Sequence, residues 1–378
     1  MYRNPMDVLL SHTTALAVIR AQETRRTLEG QRRCDARVPG AAPSASDLEA
    51  LLASAPFLSR LDAPIEVLVA AAKGRSRTPS ITSHVMSHPL PHNAAFEVAP
   101  GIRCVGPELL AVLMAPKLTE LELIVLLSEL LGTYAIAPHL ESGMIARRSP
   151  VTTPGHIAEF LDALGTYRGV AQVRRALEKA CVRSASPRET KLSLRLGLKP
   201  QYGGQNFDVL SMNEPLEVVR IGDKMRRGVR KPDILLRAPD GATRNGRALL
   251  GAAVEYDGRD HGTEEAHARD VERHNEVTAI GLVEYVVTKK QYGDLEYMDG
   301  LADLIRRDLG LPRQRLTRAE SARRKELRRE LYEELERIDG EHWNGLERQR
   351  ARLAGEKSEG SGRNDGWDVV PVEAYGLD

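Results

Sequence analysis

The stretch KPDILLRAPDGATRNGRALLGAAVEYDG, Lys231 to Gly258, decides how this chain is read. Two apolar runs, Ile234 to Leu236 and Ala248 to Val254, flank PDGATRNGR, a segment dense in turn-forming residues. A turn centred near Arg244 folds the runs into an antiparallel hairpin and brings the start of the first across from the end of the second. Those two ends carry carboxylates, Asp233 on one and Glu255 and Asp257 on the other. Glu255 and Asp257 alternate with Val254 and Tyr256, so the period of two along a strand sends both acids to one face. Burying a carboxylate is costly unless a partner or a cation compensates it.

Upstream, SASPRETKLSLRLGL opens with a helix-start cluster, Ser184 to Pro187, and continues with Glu189, Leu192 and Leu196 at helical spacing. GGQNFDVL reads as a strand and VVRIGDKMRRGVR as a basic connection. Downstream, EEAHARDVERHNEVTAIG is a helix with two glutamates at its positive end and Gly281 as its stop. LVEYVVT is a final strand that a helical crossover returns in parallel. The order is helix, three strands, helix, strand.

The rest of the 378 residues divides around that unit. Residues 1–60 are expected to be a helical N-terminal segment, and residues 61–150 a small α+β domain with strands in PIEVLVAAA, SITSHVMSHPL and AAFEVAPGIRCVGP. Its helix, KLTELELIVLLSELLG, stripes Leu123, Leu126, Leu127, Leu130 and Leu131. Residues 151–183 form connecting helices, 184–311 the strand-rich unit, 312–354 a charged helix, and 355–378 a flexible tail. The charged helix carries a stripe, Leu327, Leu331, Leu335 and Ile338, within a mass of charge, so it is expected to be either solvated or docked, with a protein partner as one thing it could dock on.

Lys and Arg number 54 against 53 Asp and Glu, so nucleic acid gains no bulk attraction and any basic surface must be local. Cys34, Cys104 and Cys181 are too few and too scattered for a disulfide framework or a cysteine zinc site, which fits a cytoplasmic protein. The longest apolar run, Leu121 to Leu131, is broken by Glu122 and Glu129, and neither a signal peptide nor a membrane span is expected. No phosphate-cradling GxxxxGK[ST] occurs.

Convergent carboxylates repel one another unless a cation relieves them, and a hard divalent ion such as Mg²⁺, or Mn²⁺, takes one or two such ligands. The bland reading is that Asp233 after Pro232 starts a turn and that Asp257-Gly258 is a turn dipeptide. It suffices for either acid alone; the ordered set points to a site. Lys224, Arg226, Arg227, Arg230 and Lys231 precede the acids, where they could meet a phosphate backbone or simply face solvent. Arg273 could touch phosphate or pair with Asp270. His267 and His274 share a helix face, but a zinc site there lacks a fourth ligand.

Glu189, Pro232-Asp233, Glu255-Tyr256-Asp257-Gly258, His261, Asp270, Arg273 and EYVVT, in that order, resemble the nuclease module of the short-patch-repair (Vsr-type) endonucleases. These belong to the PD-(D/E)XK restriction-endonuclease-like superfamily. Residues 60–180 are similar in layout to the abortive-infection antitoxin family, with RRALEKACVRSASPRET as the junction. The resemblance implies an α/β (α+β) fold with a restriction-endonuclease-like αβββαβ core around a mixed sheet. It implies a metal-dependent endonuclease acting on DNA in defence or repair, with Asp233 and Glu255 as metal ligands and Glu189 as a helix-borne acid near the same ion. Asp257 stands where the superfamily has its lysine, a departure that leaves His261 as the candidate acid-base group. The alternative is a non-catalytic nucleic-acid-binding or regulatory protein of toxin-antitoxin type that retains the scaffold.

Overall fold

A strand whose successive side chains are all apolar must be covered on both faces. Val8–Leu10 (β1) meets that condition at the centre of a five-stranded sheet. The structure, a computed structural model, describes residues 7–30, 32–53, 55–219, 227–258, 276–312 and 315–360. From β1 the chain enters α1 (His12–Arg20), followed by α2 (Arg25–Glu29) and α3 (Ala45–Leu52). Strands β2 (Ile65–Val69), β3 (Ile81–Val85), β4 (Ala95–Ala99) and β5 (Ile102–Val105) complete the sheet in the order β3-β2-β1-β5-β4. β1 is antiparallel to β2 and parallel to β5, while β2 and β3 are parallel. Residues 1–60 are therefore not simply a helical segment, because they supply the central strand. Val8-Leu9-Leu10 is too short a run for periodicity to separate strand from helix.

α1 packs on β2 and β5, α4 (Pro107–Met114) packs on α1, and α5 (Glu120–Leu130) on α4; α4 and α5 are buried along nearly their whole length. Thr119 and Glu122 close the start of α5 as a reciprocal capping box. The hairpin of β6 (Tyr134–Ile136) and β7 (Met144–Ala146) leads to α6 (Pro154–Leu164) and α7 (Val170–Leu177). Pro154 begins α6, and Gly165 ends it at φ +69°, a conformation that favours glycine.

The second half starts with α8 (Pro187–Gly197) and strand β8 (Val209–Ser211). VVRIGDKMRRGVR is more than a connection: β9 (Leu216–Val219) and β10 (Arg227–Arg230) pair as the arms of a hairpin. Then come β11 (Ile234–Arg237), the short ladder of β12 (Thr243–Arg244) and β13 (Arg247–Ala248), and β14 (Gly251–Asp257). Asn245 and Gly246 turn the short ladder at positive φ, as two-residue hairpins require. β15 (Leu282–Thr288) follows a helical turn at residues 276–279. The four-stranded sheet runs β15-β14-β11-β8, with β11 antiparallel to both neighbours and β15 parallel to β14, so the fold is mixed α/β with mixed sheets.

One face of this sheet, with Ile234, Leu236, Ala252 and Val254, joins Leu192, Leu194 and Leu196 of α8 in the main core. The opposite face, with Leu235, Ala253 and Leu282, is covered by Val277. After α9 (Lys289–Gly293) and α10 (Leu295–Asp308), the charged helix α11 (Arg318–Arg337) docks through Leu331 and Leu335. Arg188 Nη1 of α8 donates to both carboxylate oxygens of Glu336 at 2.7 Å, and the Arg195 guanidinium stacks over Tyr292 and Tyr332. Residues 355–360, read as the start of a flexible tail, continue helix α12 (Gly345–Gly360). The rest of that tail, with Trp367 and Tyr375, lies outside the described residues. Among the described residues no helix is long and apolar enough to cross a membrane.

Candidate functional site

β11 and β14 pair with Ile234 across from Val254. The ladder stops there, and Asp233 lies one residue beyond it, at the end of the sheet where β14 carries Glu255 and Asp257. Alternation along β14 puts Glu255 on the face of Ala253 and Leu235. Asp233 Oδ2 accepts a hydrogen bond from Tyr256 N at 2.7 Å, which ties it to the end of β14. Glu255 is only 8% exposed. Asp257 ends β14, half-buried, and Glu284 on β15 is in register with Ala253 on the same face. Tyr256 points the other way, edge-on to Tyr292, and burial pushes its phenol up.

Glu189 comes to the same end of the sheet by a different route. Its carboxylate closes the start of α8, accepting from Ser186 Oγ and Ala185 N, both at 2.9 Å. It also accepts from Asn213 Nδ2 at 2.7 Å, and Asn213 N donates to the carbonyl of Pro232, next to Asp233. Among the described residues the group of three whose ligand atoms could share one ion does not include Glu189, Asp233 and Glu255. The sequence cannot show this, because an acid at the third helical position reads equally as a cap or a ligand.

The basic residues split. Arg230 donates to the fully buried Glu276 at 2.6 Å, an ion pair that pins β10 to the turn at 276–279, so its guanidinium is committed inside the protein and not offered to phosphate. Arg227 is exposed and 3.5 Å from Glu217, and Lys231 is exposed. Lys224, Arg226, His261 and Arg273 lie outside the described residues, as do His267, Asp270 and His274.

A second cluster lies in the first sheet. His12, Glu66 and His84 form a candidate metal-binding triad, each offering one ligand atom within 4.8 Å of the others. His12 begins α1 directly after β1, Glu66 sits on β2 and His84 on β3, whose parallel pairing aligns Leu68 with His84. Glu66 Oε2 accepts from Thr13 N at 2.7 Å and from Thr13 Oγ1, while Oε1 lies 2.9 Å from His84 Nε2 and 3.1 Å from Lys117 Nζ. The two imidazoles are 3.8 Å apart between ring centroids, and His12 Nδ1 is 3.0 Å from Ser11 Oγ. Burial, then the charges of His84 and Lys117, push His12 down to about 3 and keep it neutral at pH 7. Burial pushes the Glu66 carboxyl up, but hydrogen bonds from His84 and Thr13 and the Lys117 ammonium prevail, holding it well below the usual carboxylate range. Nothing in the sequence spacing joins positions 12, 66 and 84; the one local signal is Glu66, the lone charge within IEVLV. No family model, curated protein or solved structure matches this chain.

Proposed function

We propose that the four-stranded sheet is the scaffold of a restriction-endonuclease-like site that hydrolyses DNA phosphodiesters with the help of Mg²⁺ or Mn²⁺. The observation that supports this is the Asp233 carboxylate accepting from the Tyr256 amide, at the end of the strand that also carries Glu255 and Asp257. The donor set fits a hard divalent ion, which takes oxygen ligands and one or two protein carboxylates. When bound, such an ion supplies Lewis acidity to water and to a phosphate oxygen. Asp233 and Glu255 hold it, and the Tyr256 amide fixes the direction of Asp233. Glu189 acts through Asn213 and Pro232 as a positioning residue. Asp257 adds negative charge at the rim, and His261 serves as the proton-transferring group in this reading. Arg227 and Lys231, with Lys224 and Arg226, steer the DNA backbone toward the acids. The helix-strand-strand-strand-helix-strand order of α8, β8, β11, β14, the turn at 276–279 and β15 is in keeping with that scaffold. A cytoplasmic location belongs to the same reading.

A second reading is a non-catalytic nucleic-acid-binding or regulatory protein of toxin-antitoxin type. The commitment of Glu189 to the start of α8 favours it, as does an aspartate where the superfamily lysine would stand. Plasmid nicking with Mg²⁺ or Mn²⁺ separates the two. Native protein is expected to nick, with loss of at least about 100-fold in Asp233→Ala and Glu255→Ala. Nicking that survives both substitutions places the activity elsewhere, and DNA binding without nicking selects the regulatory reading.

A further inference from the structure

We propose that His12, Glu66 and His84 bind a divalent transition-metal ion, with the Lys117 ammonium as an intramolecular competitor for the same carboxylate. This stands apart from the acids of the second sheet and does not depend on nuclease activity.

The three donor atoms lie within 4.8 Å of one another, and one pair stands at the separation a shared ion asks for. Neighbouring ligands each about 2.0–2.2 Å from one ion lie roughly 3 Å apart, and His84 Nε2 is 2.9 Å from Glu66 Oε1. The groups behind the ligands are in place too. Ser11 Oγ holds one nitrogen of His12, leaving the other ring nitrogen for an ion, and Thr13 holds Glu66 Oε2 while Oε1 turns to His84. Contacts of this kind orient metal-bound imidazoles and carboxylates. His12 adopts φ +50°, a left-handed conformation uncommon outside glycine and asparagine. In that conformation its imidazole lies against that of His84.

Two imidazoles and one carboxylate select zinc, iron, cobalt or nickel over magnesium and calcium. Three protein ligands leave coordination positions to fill, and the imidazoles face a cavity of about 250 Å³ that Arg75, Lys117, Tyr167 and Arg168 also line. Its cationic rim admits water or an anion as the remaining ligand and disfavours a second cation. Lys117 Nζ stands 3.1 Å from Glu66 Oε1 on a side chain that is 43% exposed, so it can withdraw into solvent when an ion takes its place. That competition lowers metal affinity, and removing it raises the affinity.

The test uses the full chain stripped with EDTA and titrated with Co²⁺, followed by visible absorption and by calorimetry for stoichiometry. One equivalent with a nitrogen-ligand-type ligand-field band is expected from this triad, and it persists in Asp233→Ala, which removes any cobalt held at the second sheet. His84 is the partly exposed ligand, so His84→Ala keeps the fold, which circular dichroism checks. It is expected to lose about 10–100-fold in affinity, and Glu66→Gln likewise. Lys117→Gln is expected to bind several-fold tighter, which a purely structural cluster gives no reason for. Absence of stoichiometric uptake by the native chain overturns the proposal. So does native binding in His84→Ala, binding that depends on Asp233 instead, or unchanged binding in Lys117→Gln.

Discussion

A Cβ on Gly251 would run into the carbonyl oxygen of Leu236, on the strand that carries Asp233 to the sheet end. The clash is with backbone, so it is relieved only by moving β11 against β14. Gly251→Ala is expected to cost about 1–3 kcal/mol of stability, read from urea denaturation. Because Asp233 lies three residues from Leu236 on the displaced strand, metal-dependent nicking should fall in the folded variant as well. Native stability in the variant would show that the strand spacing is looser than the geometry indicates. The pairing of Ile234 to Leu236 with Ala252 to Val254, which brings Asp233 to the end of the sheet that carries Glu255 and Asp257, was legible because it follows from local rules, a turn and a period of two. His12, Glu66 and His84 were not legible: they meet only when β1, β2 and β3 pair, and no local rule sets that pairing. Glu189 was half legible, since its helix position was readable but not the Asn213 and Ser186 contacts that occupy its carboxylate.

Among elements, the docking of α11 on α8 turns on one carboxylate. Glu336 takes Arg188 at 2.7 Å and lies 3.6 Å from Lys191 Nζ. Burial pushes the Glu336 carboxyl up, but the Arg188 hydrogen bond and the charges of Lys191 and Arg188 bring it below its ordinary value. A carboxylate depressed on folding contributes stability that is present above its unfolded pKa, about 4.3, and lost as pH falls through its folded value. Glu336→Gln is therefore expected to destabilise by about 1–2 kcal/mol at pH 7, modest because Arg188 and Glu336 are each about a third exposed to screening water. The gap between variant and native should close as pH drops below about 4, measured by urea denaturation at both pH values. An equal gap at pH 3 and pH 7 would assign the loss to packing instead. The stripe of Leu331 and Leu335 left α11 readable in sequence as either a solvated or a docking helix, and the structure docks it on α8. β1, β9 and β10 were missed, being only three or four residues long, below the length at which a period declares itself.

At the scale of the molecule, one apolar core runs through both sheets. It contains Leu10 and Ile81 of the first sheet, Leu126 of α5, Leu192 and Leu196 of α8, Val254 of the second sheet and Leu335 of α11. Sequence composition marked a boundary near residue 184, yet the chain is stitched across it. Thr133 N donates to Ser184 O at 2.7 Å, Arg183 N to Leu131 O at 2.9 Å, and Cys181 N to Ser128 Oγ at 2.9 Å. Tyr134, fully buried, places its hydroxyl 3.1 Å from Thr190 Oγ1. A fragment of residues 184–311 would lose α5 and α11 from α8, whose residues Glu189 to Leu196 are all buried. Re-exposing a buried leucine costs about 1.5–3 kcal/mol, and a few such losses equal the whole stability of an ordinary domain. That fragment is expected to be insoluble or unfolded by circular dichroism, while the full chain unfolds in one transition. Leu126→Ala, in the first half, is expected to cost about 2–5 kcal/mol and to speed proteolysis of the β12–β13 turn in the second half by a matching factor. Faster cleavage confined to the first half would mean that the two sheets unfold independently.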